Sequence, residues 1–344
     1  MEKDRSTARR PAQRVTLRDV AKAAGVSHQT VSRAINDKGE IDPETRRRIL
    51  EVAQQLRYRP SRFARGLVRP DTTTIGLVID DILNPFFPEL IAGVMSAAEQ
   101  RSWTVLISTV QNDHGREPEL LRSLAGQVDA LIGYLYERDA GIAEAIEGLP
   151  MVVMGRPAQH PAFGVVDVDV RPGVQAAVDH LLAQGHQRIG MIDCPTACDP
   201  LRRQVLLEAT AAQGLPIPAE AIVETEQSQA GGEEALARLL KAAPGLTAVL
   251  AFNDVVALGA YRTARSLGLT IPGDLALVGF DGLSLGEILD PPLTTINIDK
   301  RRMGELAVAQ AECLLNGEHP PPATVTTDLL VRASTGSPSA GASG

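Results

Sequence analysis

Apolar residues recur at helical spacing through the first sixty positions and then give way to short apolar runs that alternate with helical stretches. Leu17, Val20, Ala21 and Ala24 fall on one face of a predicted helix over about 17–24. Thr16 stands ahead of it as cap, with Asp19 three residues on in a capping-box arrangement. Gly25 supplies the left-handed residue that ends it. Ser27 caps a second helix, in which Val31, Ala34 and Ile35 point inward while His28, Gln29, Ser32, Arg33 and Asn36 point outward. A third helix starts at Asp42-Pro43-Glu44, with Asp as cap and Pro in the first turn, and carries Ile49, Val52, Ala53 and Leu56 at helical spacing.

From Thr74 the period changes. Runs at 75–79, 105–108, 130–133 and 151–154 read as buried strands, with a helix around Phe87 to Arg101 after the first. A second series follows, with helices at 173–184, 201–213 and 255–267 and strands at 189–192, 248–251 and 275–280. Such alternation predicts parallel sheets covered on both faces, and two series predict two similar lobes. Ligands of such sheets lie beyond the carboxyl ends of the strands, so the crevice between lobes is the expected binding site. Asn253 and Asp254 follow one strand and Asp281 follows another, polar groups suited to a polyhydroxylated or amide-bearing ligand. Helix capping is the other use open to Asn253 or Asp254.

Charge sharpens the division between the two parts. The first 70 residues hold 17 Lys and Arg against 8 Asp and Glu, net +9, so the remainder carries −17 within the overall −8. A basic head on an acidic body suits a polyanion and confines its contact to the N-terminus. The outward face of the second helix is rich in donors, and in a helix-turn-helix that helix enters the major groove. His28, Gln29 and Arg33 are expected to read bases, and Thr16, Ser27, Thr30, Ser32 and Asn36 to hold phosphates. A structural hairpin with a solvated polar face is the alternative. Downstream, Arg57, Arg59, Arg62, Arg65 and Arg69 surround a possible short helix over 61–68, interrupted by Gly66. It reads either as a hinge that folds on DNA, with Tyr58, Arg62 and Arg65 as contacts and Leu67 as a minor-groove wedge, or as a plain basic linker.

Composition sets outer bounds. With 344 residues, 44% of them hydrophobic, the chain can build a sizeable core in two lobes, and three cysteines argue for a reducing compartment without a disulfide framework. The charged N-terminus has no apolar signal core, and no run approaches the ~18 apolar residues of a membrane span, so a cytoplasmic protein is expected. Residues 1–14 and 334–344 read as disordered tails. Cys194 and Cys198 lie after one strand without further ligands at metal spacing, and His114, His160, His180, His186 and His319 are scattered away from any nucleophile pattern. Neither a P-loop nor a dinucleotide fingerprint is present. No cofactor, no metal and no enzymatic activity are expected.

Seven segments together carry a resemblance. TLRDVAKAAGVSHQTVSRAIN, RPSRFARGL, TIGLVIDDILNPFF, HLLAQGHQRIG, FNDVVALGA, IPGDLALVGFDG and PPLTTINID occur in this order, and the chain resembles the lactose-repressor/purine-repressor family of bacterial transcription regulators from Val15 to about Ala333. The resemblance implies an α/β fold with a helix-turn-helix head at 15–60, a hinge at 61–71 and a sensor at 72–333 similar to periplasmic sugar-binding proteins. Its lobes would span about 72–167 with 297–328, and about 168–294 with 329–333. It implies an aromatic wall at Phe86 and Phe87 and a ligand-binding arginine at Arg202, although Val205-Leu206 stand where relatives have Gly-Phe and Arg203 is adjacent. Gln227, Val170 and Ile298 also depart from the family's usual residues. The implied function is a repressor that binds a pseudo-palindromic double-stranded operator as a homodimer, or a higher oligomer, and answers to a small effector such as a sugar or polyol. A catabolite-type regulator with a phosphocarrier partner, a purine-type repressor that needs a corepressor, and a solute-binding protein of the same bilobed fold are the alternatives.

Overall fold

Helices α1 (Leu17–Ala24), α2 (His28–Ile35) and α3 (Pro43–Gln55) form the N-terminal unit of the computed structural model, which describes residues 17–35, 41–56, 72–194 and 201–338. Gly25 takes φ +66° between the first two helices, a conformation that side chains disfavour, and Val26 N closes the turn onto Ala21 O at 3.1 Å. Ser27 Oγ accepts from Thr30 N at 3.1 Å, so the free amides of α2 are capped as the sequence suggests. Asp42 does the same for α3, accepting from Thr45 N at 2.9 Å. Val20, Val31 and Ile49 are fully buried among Ala21, Ala24, Ala34 and Ala53. Burial of each large apolar side chain contributes roughly 1.5–3 kcal/mol, and Val26, Ile41, Val52 and Leu56 pack against the cluster partly buried.

A mixed α/β body begins at Thr73. Strands β1 (Thr74–Ile79), β2 (Thr104–Thr109), β3 (Ala130–Tyr134), β4 (Met151–Met154) and β5 (Phe163–Asp169) pair in parallel in the order β2-β1-β3-β4-β5. A second parallel set, β6 (Ile189–Asp193), β7 (Ile222–Glu224), β8 (Ala248–Ala251), β9 (Ala276–Asp281) and β10 (Thr294–Ile298), pairs in the order β10-β9-β8-β6-β7. Between them lies β11 (Ala323–Leu330). Its first half, 323–326, runs parallel to β5, and its second half, 327–330, pairs antiparallel with β10. The sheets are therefore mostly parallel, with this one antiparallel junction.

The intervening helices are α4 (Phe86–Gln100), α5 (Glu117–Ala125), α6 (Asp139–Ile146), α7 (Arg171–Ala183), α8 (Leu201–Ala212), α9 (Gln229–Ala242), α10 (Asp254–Ser266) and α11 (Lys300–Leu315). After β10 the chain returns to the first half, where α11 packs along α4 and over β4 and β5. Apolar runs mark most strands of the sequence but not β7, which has three residues, or β11, whose alternate residues are exposed. No helix among the described residues is long and apolar enough to cross a membrane.

Residues 334–338 correct one expectation. They were expected to begin a disordered tail, yet Ser334 is fully buried, accepting from Thr294 N at 2.8 Å and donating to Leu277 O at 2.6 Å. His180 Nε2 lies 2.8 Å from Thr335 Oγ1, and His186 Nε2 donates to Gly336 O at 2.8 Å. Hydroxyls and backbone, not apolar side chains, hold this stretch, which is why its composition misleads. The rest of that expected tail, the expected tail at 1–14 and the hinge at 61–71 lie outside the described residues.

Candidate functional site

In the body, the carboxyl ends of β1, β3, β4, β8 and β9 open onto one cleft. Phe86 and Phe87 occupy successive positions in the first turn of α4, so both reach the cleft although adjacent, which a strand would not allow. Their rings meet edge to face at 5.3 Å, and Tyr134 completes the cluster at 5.7 and 5.6 Å from them. Asn84 Oδ1 accepts from Phe86 N at 3.0 Å and fixes the start of the helix. With Tyr136 and Phe252, three Phe and two Tyr line the cleft of a chain that has only six Phe, four Tyr and one Trp. Such a concentration favours a ligand with flat apolar faces.

Arg202, in the first turn of α8, lines the opposite wall. Its Nη1 donates to Phe252 O at 2.7 Å, and its guanidinium lies 4.5 Å from the ring centre of Phe252 and 3.9 Å from that of Phe280. The Asp281 carboxylate is its ionic partner. Arg203, the other candidate from the sequence, pairs instead with Glu224 at 3.0 Å and Asp193 at 3.6 Å. Arg156 also lines the cleft, but its nitrogens are spent on Asp139 Oδ1 at 2.9 Å, Pro157 O at 3.0 Å, Leu135 O at 3.0 Å and Glu137 O at 2.6 Å. Both cleft guanidiniums thus face a carboxylate of the protein.

Asn253 combines the two uses open to it, since Oδ1 caps α10 through Val256 N at 2.9 Å while the residue lines the cleft. Asp254 is a correction. It does not line the cleft, because the helical turn swings it beneath the strand ends, where Oδ2 accepts from Leu283 N and Oδ1 from Thr295 Oγ1, both at 2.6 Å. Burial, reinforced by the neighbouring Asp281 charge, pushes its carboxyl up to about 7.

Asp80, Tyr134, Tyr136 and Arg156 were not singled out in the sequence, yet they occupy strand ends or positions just beyond them. The strand-end rule that selected Asn253 and Asp281 would also have found them. Asp80 Oδ1 meets His114 Nε2 at 3.1 Å, and the imidazole stacks on Tyr136 at 3.9 Å. Burial raises the Asp80 carboxyl above its ordinary range, against the pull of His114. Glu117, fully buried behind them, accepts from Tyr136 N at 3.0 Å and Glu137 N at 2.8 Å, which anchors the wall. Gln227 also lines the cleft, whereas Val170 and Ile298 are buried and do not. Among the described residues no His, Cys, Asp and Glu cluster could hold a metal ion. Cys194 is buried, and its thiol is pushed up to about 12 by that burial and by Asp193, while Cys198 falls outside the described residues.

In the N-terminal unit the expected DNA-facing residues Ser27, His28, Gln29 and Arg33 are exposed, and Thr30 is half-buried. Thr30 Oγ1 lies 2.8 Å from Ser27 Oγ. Thr16, Asn36, Tyr58, Arg62, Arg65, Leu67 and the side chain of Ser32 lie outside what the structure describes.

Residues 16–61 match the bacterial regulatory proteins of the lacI family, and residues 178–335 match a periplasmic binding protein-like domain. The HTH-type transcriptional regulator DegA of Bacillus subtilis is 36% identical over 302 residues, 85% of this chain and 88% of DegA. The chain belongs to the LacI family. Another member, the HTH-type transcriptional repressor CytR of Escherichia coli, is 32% identical over 93% of this chain and 96% of its own. Among solved structures, the lac repressor dimer bound to operator and the anti-inducer ONPF matches with a TM-score of 0.72 at 27% identity, over 94% of this chain and 100% of that one. A transcriptional regulator CelR–cellobiose complex matches with a TM-score of 0.69 at 29% identity, over 93% and 100%. This LacI-family chain is a ligand-responsive, DNA-binding transcriptional regulator, and its relatives are regulators, not enzymes.

Proposed function

We propose that this regulator represses a carbohydrate-utilisation operon, binding a pseudo-palindromic operator as a cytoplasmic homodimer and releasing it when a neutral sugar or polyol fills the cleft. The cleft itself carries the reading. Its aromatic wall suits the apolar faces of a sugar ring, and its strand-end Asp80, Asn253 and Asp281 suit hydroxyl groups. Among the described lining residues, the two guanidiniums, Arg156 and Arg202, face Asp139 and Asp281, which leaves neither uncommitted for a phosphate or carboxylate. Crystal structures of related LacI-family regulators, from Arthrobacter sp. FB24 and from Enterococcus faecium, hold lactose and ribose respectively.

On the DNA side, His28, Gln29 and Arg33 would read base edges, while Thr16, Ser27, Thr30, Ser32 and Asn36 hold the backbone. The segment from Tyr58 through Arg62, Arg65 and Leu67 would pair at the operator centre. Sugar that binds the released form more tightly than the DNA-bound form shifts the population, and the size of that difference sets the response.

A thermal-shift screen of neutral sugars, sugar phosphates and nucleobases, followed by operator gel shifts with any hit, tests this. Stabilisation by a neutral sugar together with operator release is the expected result. Stabilisation by a nucleobase that strengthens operator binding would replace it with the purine-type reading, which the same aromatic wall accommodates.

A further inference from the structure

Lys300, the first residue of α11, is 1% exposed, and its ammonium donates to Asp281 O at 2.6 Å, Ile298 O at 3.2 Å and Gly282 O at 3.5 Å. Glu89 Oε2 on α4 stands 3.4 Å away on its other side. A buried ammonium must find several acceptors to offset its desolvation, so which acceptors it uses carries the information. Two belong to the last residue of β9 and the glycine that follows it, where the strand turns. There Asp281 takes φ +102°, a region that L side chains rarely adopt, followed by Gly282 at +68°. Strained backbone of this kind persists only where its surroundings over-determine it.

The N–H side of the turn has its own restraints, since Gly282 N donates to Thr295 Oγ1 at 3.2 Å and Leu283 N to Asp254 Oδ2 at 2.6 Å. The carbonyl side is held by Lys300. This conformation brings the Asp281 side chain against Arg202 on the cleft wall. Glu89 lies three residues beyond Phe86 in the helix that supplies the facing aromatic wall. One ammonium therefore touches both sides of the cleft's frame while lining none of it.

We propose that Lys300 is a positioning residue for the effector cleft: it holds the Asp281–Gly282 turn in its positive-φ form, aims the Asp281 carboxylate at Arg202, and ties that turn through Glu89 to the helix bearing Phe86 and Phe87. The assignment rests on reading the cleft as the effector site, but its test needs no effector.

Hydrogen exchange followed by mass spectrometry on the full chain compares wild type with Lys300→Met, Lys300→Arg and Glu89→Gln. In Lys300→Met the peptide covering Asp281 to Leu283 should exchange at least tenfold faster, with a smaller rise over the first turn of α4, while β6 and β8 keep wild-type protection. Lys300→Arg, which retains donors, should restore most of the protection. Glu89→Gln, changed at a half-exposed side chain, should loosen the turn a few-fold and reports even if Lys300→Met does not fold. Unchanged exchange at 281–283 in Lys300→Met, or acceleration spread evenly over the body, would overturn the positioning role. An unchanged turn in Glu89→Gln would overturn the tie to α4.

Discussion

Arg202 Nη2 and Asp281 Oδ1 stand 3.5 Å apart with side chains only 9% and 5% exposed, so each is the charge that makes burial of the other tolerable. Removing one member of such a pair leaves an uncompensated buried charge, a loss of about 3–5 kcal/mol. The cleft is therefore built around a stability element, and its variants must be read for both folding and binding.

Arg202→Met should lower the urea-unfolding free energy of the body by on the order of 3 kcal/mol. It should also abolish the thermal shift produced by the effector, while operator affinity without effector stays near wild type. Undiminished effector affinity in calorimetry would remove Arg202 from the binding site.

Asp254 makes stability depend on pH. Its carboxyl is raised from 3.8 to about 7, so the folded state binds this proton more tightly than the unfolded chain does. Its stabilising contribution is complete below about pH 4 and is lost as pH rises through about 7. Asp254→Asn can accept from Leu283 N and donate to Thr295 Oγ1 without a charge. Relative to wild type the variant should gain roughly 2 kcal/mol between pH 5 and pH 8. Parallel urea curves for the two proteins at both pH values would contradict this.

The N-terminal unit has little reserve. Ile49 is fully buried in its small core. Ile49→Ala should cost about 2–5 kcal/mol, enough to unfold a unit of this size. Operator binding should disappear while the melting transition of the body is unchanged. Retained gel shifts would mean that the head is more robust than its core implies.

Gln29 and Ser27 should behave differently on DNA. A base contact by Gln29 is worth about 1–3 kcal/mol in discrimination, so Gln29→Ala should relax preference at one position of each half-site in a binding-site selection. Ser27→Ala removes the Thr30 cap and should weaken all operators alike, by about 1 kcal/mol. Identical selectivity profiles for Gln29→Ala and wild type would argue against direct readout there.

Legibility in the sequence followed physical cause. The three N-terminal helices were readable because Gly25, Ser27 and Asp42 punctuate them locally, and their caps form as the residue types require. Asn253 and Asp281 were readable because strand ends converge on the cleft, and Phe86 and Phe87 because the family resemblance implies an aromatic wall there. Asp254 misled because one further step into a helix rotates a side chain by about 100°, from the cleft to the interior. The packing of Ser334 depends on partners far along the chain, and no local pattern announces it, whereas the return of α11 onto α4 follows from the resemblance, which groups 297–328 with the first half. Lys300, in IDKRR, looks like one more surface cation.

The shared strand has a consequence for synthesis. Because β11 supplies the last partner of β5 and α11 covers α4, the first half of the body leaves the ribosome with an open sheet edge and an uncovered helix, and waits for almost the whole chain before either is closed. Exposed strand edges template misassembly, and domains are made from the N-terminus onward. A nonsense mutation between the end of β5 and Ala323 should therefore yield an aggregation-prone fragment, not a free-standing half.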